Sequence, residues 1–256
     1  MTNANHDAEQ RRWADEVFEA GTRSYLLDDD PLVQFLVRWR LDHSVRRLLS
    51  EVRDLTTDSS VLVLCAGDGF EGTQLADLGF RDITISDISL LGVQAAMKRD
   101  DRLHGLVLNA NAAGVRDRSF DIVVIQDGLH HLQSPVAGFT EMLRISRRAA
   151  LFLEPHESWS GRTFGRAWEE HGTATNFVFR WNRRMVEQVA SSYLGRTPFT
   201  NLSESFWHHN LHLDRLGRHL GGGERAVRLL AAVKRVADTT LPNRGNLFCG
   251  LVVKDG

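Results

Sequence analysis

Gly67, Gly69 and Gly72 stand at the spacing G-x-G-x-x-G within Cys65-Ala66-Gly67-Asp68-Gly69-Phe70-Glu71-Gly72, directly after the apolar run Val61-Leu62-Val63-Leu64-Cys65. Glycine is needed where a strand turns sharply into a helix, because backbone and ligand then approach too closely to admit a Cβ. Asp87 follows 18 residues after Gly69, at the end of the next apolar run. A carboxylate there can accept two hydrogen bonds from a ribose diol. A glycine pattern alone is weak. Between a strand and a helix, and ahead of a strand-end acid, it predicts an adenosine-containing ligand.

The titratable groups that follow the later apolar runs are the second set. His130 and His131 come after Phe120–Ile125, and Glu154, His156 and Glu157 come after Ala149–Leu153. In open α/β sheets ligands bind beyond the carboxyl ends of the strands, and an imidazole titrates close to neutral pH. One of His130 and His131 is therefore the expected proton acceptor, the other packing against the following helix, with His156 beside Glu154 in reserve. His208 and His212, four apart in Trp207-His208-His209-Asn210-Leu211-His212, have the spacing to share a cation with Asp127 or Asp214. They lack the glutamate of a hydrolytic HExxH helix, and no metal is called for. Trp159, Phe164, Trp168, Phe177, Phe179, Trp181, Phe206 and Trp207 are expected to build an acceptor pocket, the core of a C-terminal cap, or both. Arg225, Arg228, Lys234 and Arg235 give the helix Glu224–Arg235 a basic face of the kind that can follow phosphate.

These residues need elements to hold them. Five apolar runs (61–65, 83–86, 106–108, 120–125 and 149–153) alternate with helical stretches at 72–78, 89–99 and 134–145. Alternation of this kind predicts a doubly wound parallel sheet with helices on both faces. Ahead of it, a helix is expected over about 7–20, and Leu32, Phe35, Leu36, Trp39, Val45, Leu48, Leu49 and Val52 mark one face of a second. These N-terminal helices read as a lid over a pocket or as a layer covering the sheet. Beyond residue 155 a helix is expected over 181–194, a strand over 197–206, a basic amphipathic helix over 223–237 and a last strand over 247–253.

Composition narrows the function. The 256 residues carry 31 Lys+Arg against 33 Asp+Glu, a net charge of -2, which excludes a grip on nucleic acid through bulk charge. The first 30 residues hold eight acids against three arginines, which speaks against a continuous nucleic-acid channel. No apolar stretch is long enough to span a bilayer, the N-terminus has no signal-peptide core, and two cysteines are too few for a disulfide scaffold. A cytoplasmic protein is expected, in contact with neither nucleic acid nor membrane.

The glycine turn leaves two ligands open, NAD and S-adenosylmethionine. A short-chain dehydrogenase would pair Tyr with Lys four residues on, whereas Tyr193 is followed at that spacing by Thr197 and the other tyrosine is Tyr25. The segments LVLCAGDGFEG, ISDIS and above all NANAAGVRDRSFDIVVIQDGLHHL resemble class I S-adenosylmethionine-dependent methyltransferases over about residues 55–155. The resemblance implies a Rossmann-like, mostly parallel sheet with an antiparallel last strand. The residue patterns place an N-terminal helical lid or cover over 1–55 ahead of a methyltransferase core over 56–256, with an acceptor-side helical and aromatic elaboration at about 156–240. The resemblance also implies a cofactor map. Gly67 and Gly69 line the methionine and ribose through backbone, Asp87 holds the ribose and Ile88 packs on adenine. Asn109 and the Ala110 amide read the adenine edge, and Gln126 lies near the amino acid end. Cys65 and Ala66 also line the cofactor, although the chain departs there from the acidic residue usual in the family, and Asn109 stands where the family has Asp. The expected reaction is methyl transfer to a small molecule, a hydroxyl of a sugar or secondary metabolite. The alternatives are a macromolecule (RNA or protein) methyltransferase using the basic helix, a cofactor-binding protein without methyl transfer, and an NAD-dependent oxidoreductase.

Overall fold

The computed structural model describes residues 3–19, 31–171, 174–208 and 223–255, with positions 217, 219 and 221. Two helices, α1 (Asn3–Glu19) and α2 (Pro31–Glu51), precede β1 (Val61–Val63), α3 (Phe70–Asp77), β2 (Ile83–Asp87), α4 (Leu90–Arg99) and β3 (Leu103–Val107). Then come β4 (Phe120–Gln126), a 3-10 turn at Leu129–His131, α5 (Pro135–Ile145) and β5 (Ser146–Pro155). Past β5 lie α6 (Trp159–Phe164), β6 (Trp168–His171), β7 (Ala174–Phe177), α7 (Arg183–Leu194), β8 (Phe199–Asn201), β9 (Glu204–Phe206), α8 (Gly223–Thr240) and β10 (Leu247–Lys254).

The main sheet runs β3-β2-β1-β4-β5-β10-β8, with β9 also on β10. β1 to β5 are mutually parallel and β10 is antiparallel to β5. Alternate strand residues feed two cores, as the period of 2 demands. Val61, Val63, Ile83, Ile85, Ile122, Val124 and Leu151 face one way, with Leu41, Val45 and Leu48 of α2. Leu62, Leu64, Val123, Ile125, Ala150 and Phe152 face the other, with α5, α7 and Trp181. Sidedness explains why the runs contain no polar break. It also makes α2 part of a sheet-covering layer.

The order reverses between β1 and β4, because β1 is flanked by β2 on one side and β4 on the other. A crevice opens at such a switch point, and here the loop after β1 and the turn after β4 meet in it. Gly128 marks how closely: a Cβ there would fall 2.6 Å from the Cβ of Cys65. The antiparallel β10 is fitted just as tightly. Gly250 pairs with Phe152, and a Cβ on it would come 2.1 Å from the Phe152 ring, which is held between Phe139 and Trp181. Gly250→Ala is expected to destabilise the protein by ~1–3 kcal/mol through overpacking, read as a lowered urea midpoint. An unchanged midpoint would show that the Phe152 ring has room to move.

Two features differ from the sequence expectation. The strand expected over 197–206 is two short strands, β8 and β9, because Leu202 and Ser203 break the pairing between them. The hairpin β6–β7 was not expected. Its sequences WEEH and ATNF carry almost no apolar alternation, and its pairing is supported from outside by α1, whose Trp13 stacks on His171 at 4.0 Å.

Candidate active site

The β1–α3 loop turns through backbone that favours glycine, with Gly67 at φ +51° and Gly69 at φ +82°. Cys65 adopts the same left-handed region at φ 55°, a conformation uncommon for a residue with a Cβ. Asp87, at the end of β2, accepts from the Gly67 amide at 2.9 Å and from the Ser89 amide at 2.9 Å. Burial raises its pKa and these amide bonds oppose the rise. A carboxylate offers about four lone-pair sites, so acceptor capacity remains after the two amides.

Around this loop lies a cavity of about 250 Å³. Cys65, Gly67, Asp87, Ile88, Asn109 and Ala110 line it, joined by Leu108, Asp127, Gly128, His131 and Leu132. Its roof is α1, through Asp7, Gln10, Trp13, Ala14, Val17 and Phe18. α1 is tied down by hydrogen bonds from Asn109 Nδ2 to Asp7 (2.6 Å) and from Ser89 Oγ to Asp15 (2.5 Å), and by a His6–Asn176 bond of 2.8 Å. A Cβ at Gly92 would strike Phe18 at 2.6 Å and the Gly67 carbonyl at 2.9 Å, so α4 needs glycine there for roof and loop to close.

Three residues expected at the cofactor lie outside the cavity. Ala66 and Gly69 belong to the loop's internal turn, the Gly69 amide donating to the Ala66 carbonyl at 2.8 Å. Gln126 is buried and donates to Glu71 at 3.0 Å, whose own pKa burial pushes up to about 8. Asn109 lines the cavity, but its side chain is already engaged by Asp7 and by the Asn111 amide.

A second cavity of about 440 Å³ adjoins the first, the two sharing Asp127 and His131. Arg40, His130, Arg166, Glu169, Arg180, His208 and Asn246 are among its walls. Arg40 reaches from α2 to pair with Asp127, itself left-handed at φ 51°. The two histidines after β4 are opposites. His130 Nδ1 bonds at 2.6 Å to Glu154, which is fully buried and also accepts the Leu129 amide. Desolvation pulls the His130 pKa down, but attraction to Glu154, then Glu169 and Asp127, outweighs it and lifts the pKa to about 10. His131 is pushed well below the usual imidazole value by burial and by its cationic neighbour His130. Its Nδ1 has no hydrogen-bond partner among the described residues. Ligand atoms of His130, His131 and Glu169 lie within 4.8 Å of one another, and the proton on His130 competes with any cation there.

Other expectations shift. His156 lines neither cavity. Its Nδ1 meets the Gly245 carbonyl at 2.7 Å and its ring stacks on Phe248, which makes it a strut for the β5–β10 junction. Trp159, Trp168, Phe177, Phe179, Trp181, Phe206 and Trp207 line neither cavity either. Trp181 is core, because its indole fills the space between Phe139, Phe152 and Phe179. The basic face of α8 is broken, since Lys234 turns inward over the Trp39 ring and pairs with Asp238 at 2.6 Å. His212 and Asp214 lie outside the described residues, as does Tyr25. Among the described residues no helix is long and apolar enough to cross a membrane.

Comparison with known proteins fits this geometry. Residues 62–153 match the family described as methyltransferase domain. A demethylmenaquinone methyltransferase of Beutenbergia cavernae is 32% identical over 131 residues, 51% of this chain and 52% of that protein. One from Renibacterium salmoninarum is 30% identical over 102 residues, 40% of this chain and 43% of that protein. The chain thus spans about half the length, or less, of these curated relatives. Among solved structures, magnesium protoporphyrin IX methyltransferase from Synechocystis PCC 6803 with bound SAH superimposes with a TM-score of 0.60 at 13% identity, over 96% of this chain and 98% of that one. Residues 62–153 thus match a methyltransferase domain, and the chain as a whole shares its fold with a solved methyltransferase.

Proposed function

We propose that the chain transfers a methyl group from S-adenosylmethionine to a small-molecule acceptor. The observation that carries this is the pair of adjoining cavities sharing Asp127 and His131, one built on the glycine loop and Asp87, the other walled by titratable groups. When bound, the cofactor supplies an electrophilic methyl on a positively charged sulfur, and displacement by the acceptor leaves S-adenosylhomocysteine.

The chain's own residues then have separable tasks. Asp87 accepts the ribose hydroxyls, and Ile88 and Leu108 give the adenine an apolar bed. α1 excludes water from above. Asp127, anchored by Arg40, and His131 mark the boundary across which the methyl passes, so the chain contributes chiefly by aligning two reactants in neighbouring cavities. His131 is the group that takes the acceptor's proton, because it lines both cavities and its pKa is held well below the usual imidazole value. His130 is already protonated and is a positioning residue, holding the turn through Glu154. His156 has no part in the transfer.

The acceptor is the finer question. The relatives' names, which give demethylmenaquinone as acceptor, speak against the sugar hydroxyl expected from sequence. Calorimetry with S-adenosylhomocysteine, followed by transfer of radiolabelled methyl to a panel of phenols, quinols and carboxylic acids, tests the reading. Binding with label appearing in one acceptor class is expected. Binding with no transfer to any class would support the alternative of a cofactor-binding protein, and no binding would remove the reading altogether.

A further inference from the structure

We infer that the acceptor carries an oxyanion, a carboxylate or a phosphate, that docks on Arg180 with Arg166 beside it. This rests on the methyl-transfer reading above and names the class of acceptor that the second cavity takes.

Arg180 is 9% exposed and lines the acceptor cavity. A guanidinium has five N–H donors. Nε bonds to the Gly161 carbonyl at 3.2 Å, Nη1 to the Val178 carbonyl at 3.4 Å and Nη2 to the Arg166 carbonyl at 2.6 Å. All three partners are neutral, and among the described residues no carboxylate pairs with Arg180. Carbonyls orient the guanidinium without neutralising it, and a buried cation without a counter-charge is unfavourable. The wall is shaped around this group. A Cβ on Gly165 would fall 3.1 Å from Arg180 Nη2 and 2.4 Å from the Gly161 carbonyl, so glycine lets the backbone close on the side chain.

The other charges of the cavity are already matched. Arg40 is taken by Asp127, His130 by Glu154, and Glu169 faces both His130 at 3.5 Å and the charge of Arg166. The cation left without a carboxylate among the described residues is Arg180, with the exposed Arg166 near it at the rim. Planar donors of this kind suit two oxygens of one anion. Arg180 lines only the acceptor cavity, whereas Asp127 and His131 line both. The oxyanion therefore anchors the acceptor on the side away from the transferred methyl, leaving its nucleophile to face the boundary.

The test uses the full chain saturated with S-adenosylhomocysteine and titrated calorimetrically with benzoate, phenyl phosphate and, as a neutral twin, benzamide. At least one anion is expected to bind in the millimolar range or tighter, about tenfold better than benzamide. The stronger anion identifies carboxylate or phosphate. Arg180→Gln should raise that dissociation constant at least about tenfold, and Arg180→Lys by less, because it keeps the charge but loses the two-pronged geometry. S-Adenosylhomocysteine affinity should stay within about twofold in both. If Arg180→Gln does not fold, Arg166→Gln at the rim should still raise the constant about threefold. Benzamide binding as well as the anions, an unchanged constant in the arginine variants, or no anion binding while the cofactor product binds would each overturn the proposal. Failure of S-adenosylhomocysteine itself to bind is a different result, which removes the methyl-transfer reading and this inference with it.

Discussion

Replacing His131 by alanine is expected to lower turnover by ~10²–10⁴ while leaving S-adenosylhomocysteine affinity within a few-fold of the parent. His131 lines both cavities, and burial beside cationic His130 holds its pKa well below the ordinary 6.5. The direction of that shift sets the pH profile. A depressed imidazole stays neutral, and so able to accept a proton, throughout the range above pH 6.5, and its acid limb falls below that value. Turnover should therefore be flat from pH 7 to 8 and fall only as the pH drops through the depressed value. His131→Ala should abolish that limb together with the rate. His130→Ala is the contrasting variant. His130, lifted to about 10, is protonated over the same range, so its loss removes no base but leaves Glu154 buried without its cation. Breaking such a pair from one side costs about 3–5 kcal/mol, and the readout is a lowered melting temperature. If His131→Ala keeps near-parental turnover across pH 6–8, alignment alone suffices, and the acceptor is an amine or an already acidic hydroxyl.

Asp87→Ala should weaken S-adenosylhomocysteine binding at least about tenfold. One hydrogen bond to a charged group contributes about 1.5–3 kcal/mol, and about 1.4 kcal/mol is a factor of ten, so a single lost ribose contact already gives the effect. The structure adds a second route to the same loss. Asp87 also fixes the Gly67 and Ser89 amides, so alanine loosens the glycine turn as well as vacating the diol site. Asp87→Asn separates the two: its amide oxygen can still accept one of these bonds, and it should fall between parent and alanine. Far-UV circular dichroism distinguishes lost binding from lost fold. A dissociation constant unmoved by Asp87→Ala would contradict the assignment of the whole cavity.

Much of this was legible in the amino-acid sequence because it is local. The alternation of apolar runs with helical stretches fixes the parallel sheet, since strands buried on both faces must be apolar throughout. The glycines, Asp87 and the pair after β4 follow from it, because the strand ends deliver them to one edge. Cys65 was expected among the cavity residues, but its left-handed backbone was not legible, since cysteine gives no local signal for it. The hairpin β6–β7 escaped because its support comes from α1, some 150 residues earlier.

Only the tertiary structure decided the division of labour. His130 and His131 are neighbours of one residue type, and nothing in their spacing distinguishes acid from base. The difference is made by Glu154, delivered by β5 to His130 alone, and its effect exists only because both groups are removed from water. Likewise α1 and Arg40 come from a segment whose pattern says only that it covers something, and the fold places α1 over the cavity at the glycine loop and Arg40 beside Asp127. Arg180 reads in sequence as one arginine among 28. Burial among backbone carbonyls makes it a charge awaiting a partner. Periodicity, glycine and strand-end position are properties of adjacent residues, so the sequence determines the scaffold and the edge where chemistry sits. Protonation state and charge balance depend on desolvation and on partners distant in the chain, so the tertiary structure alone determines which side chain at that edge can act.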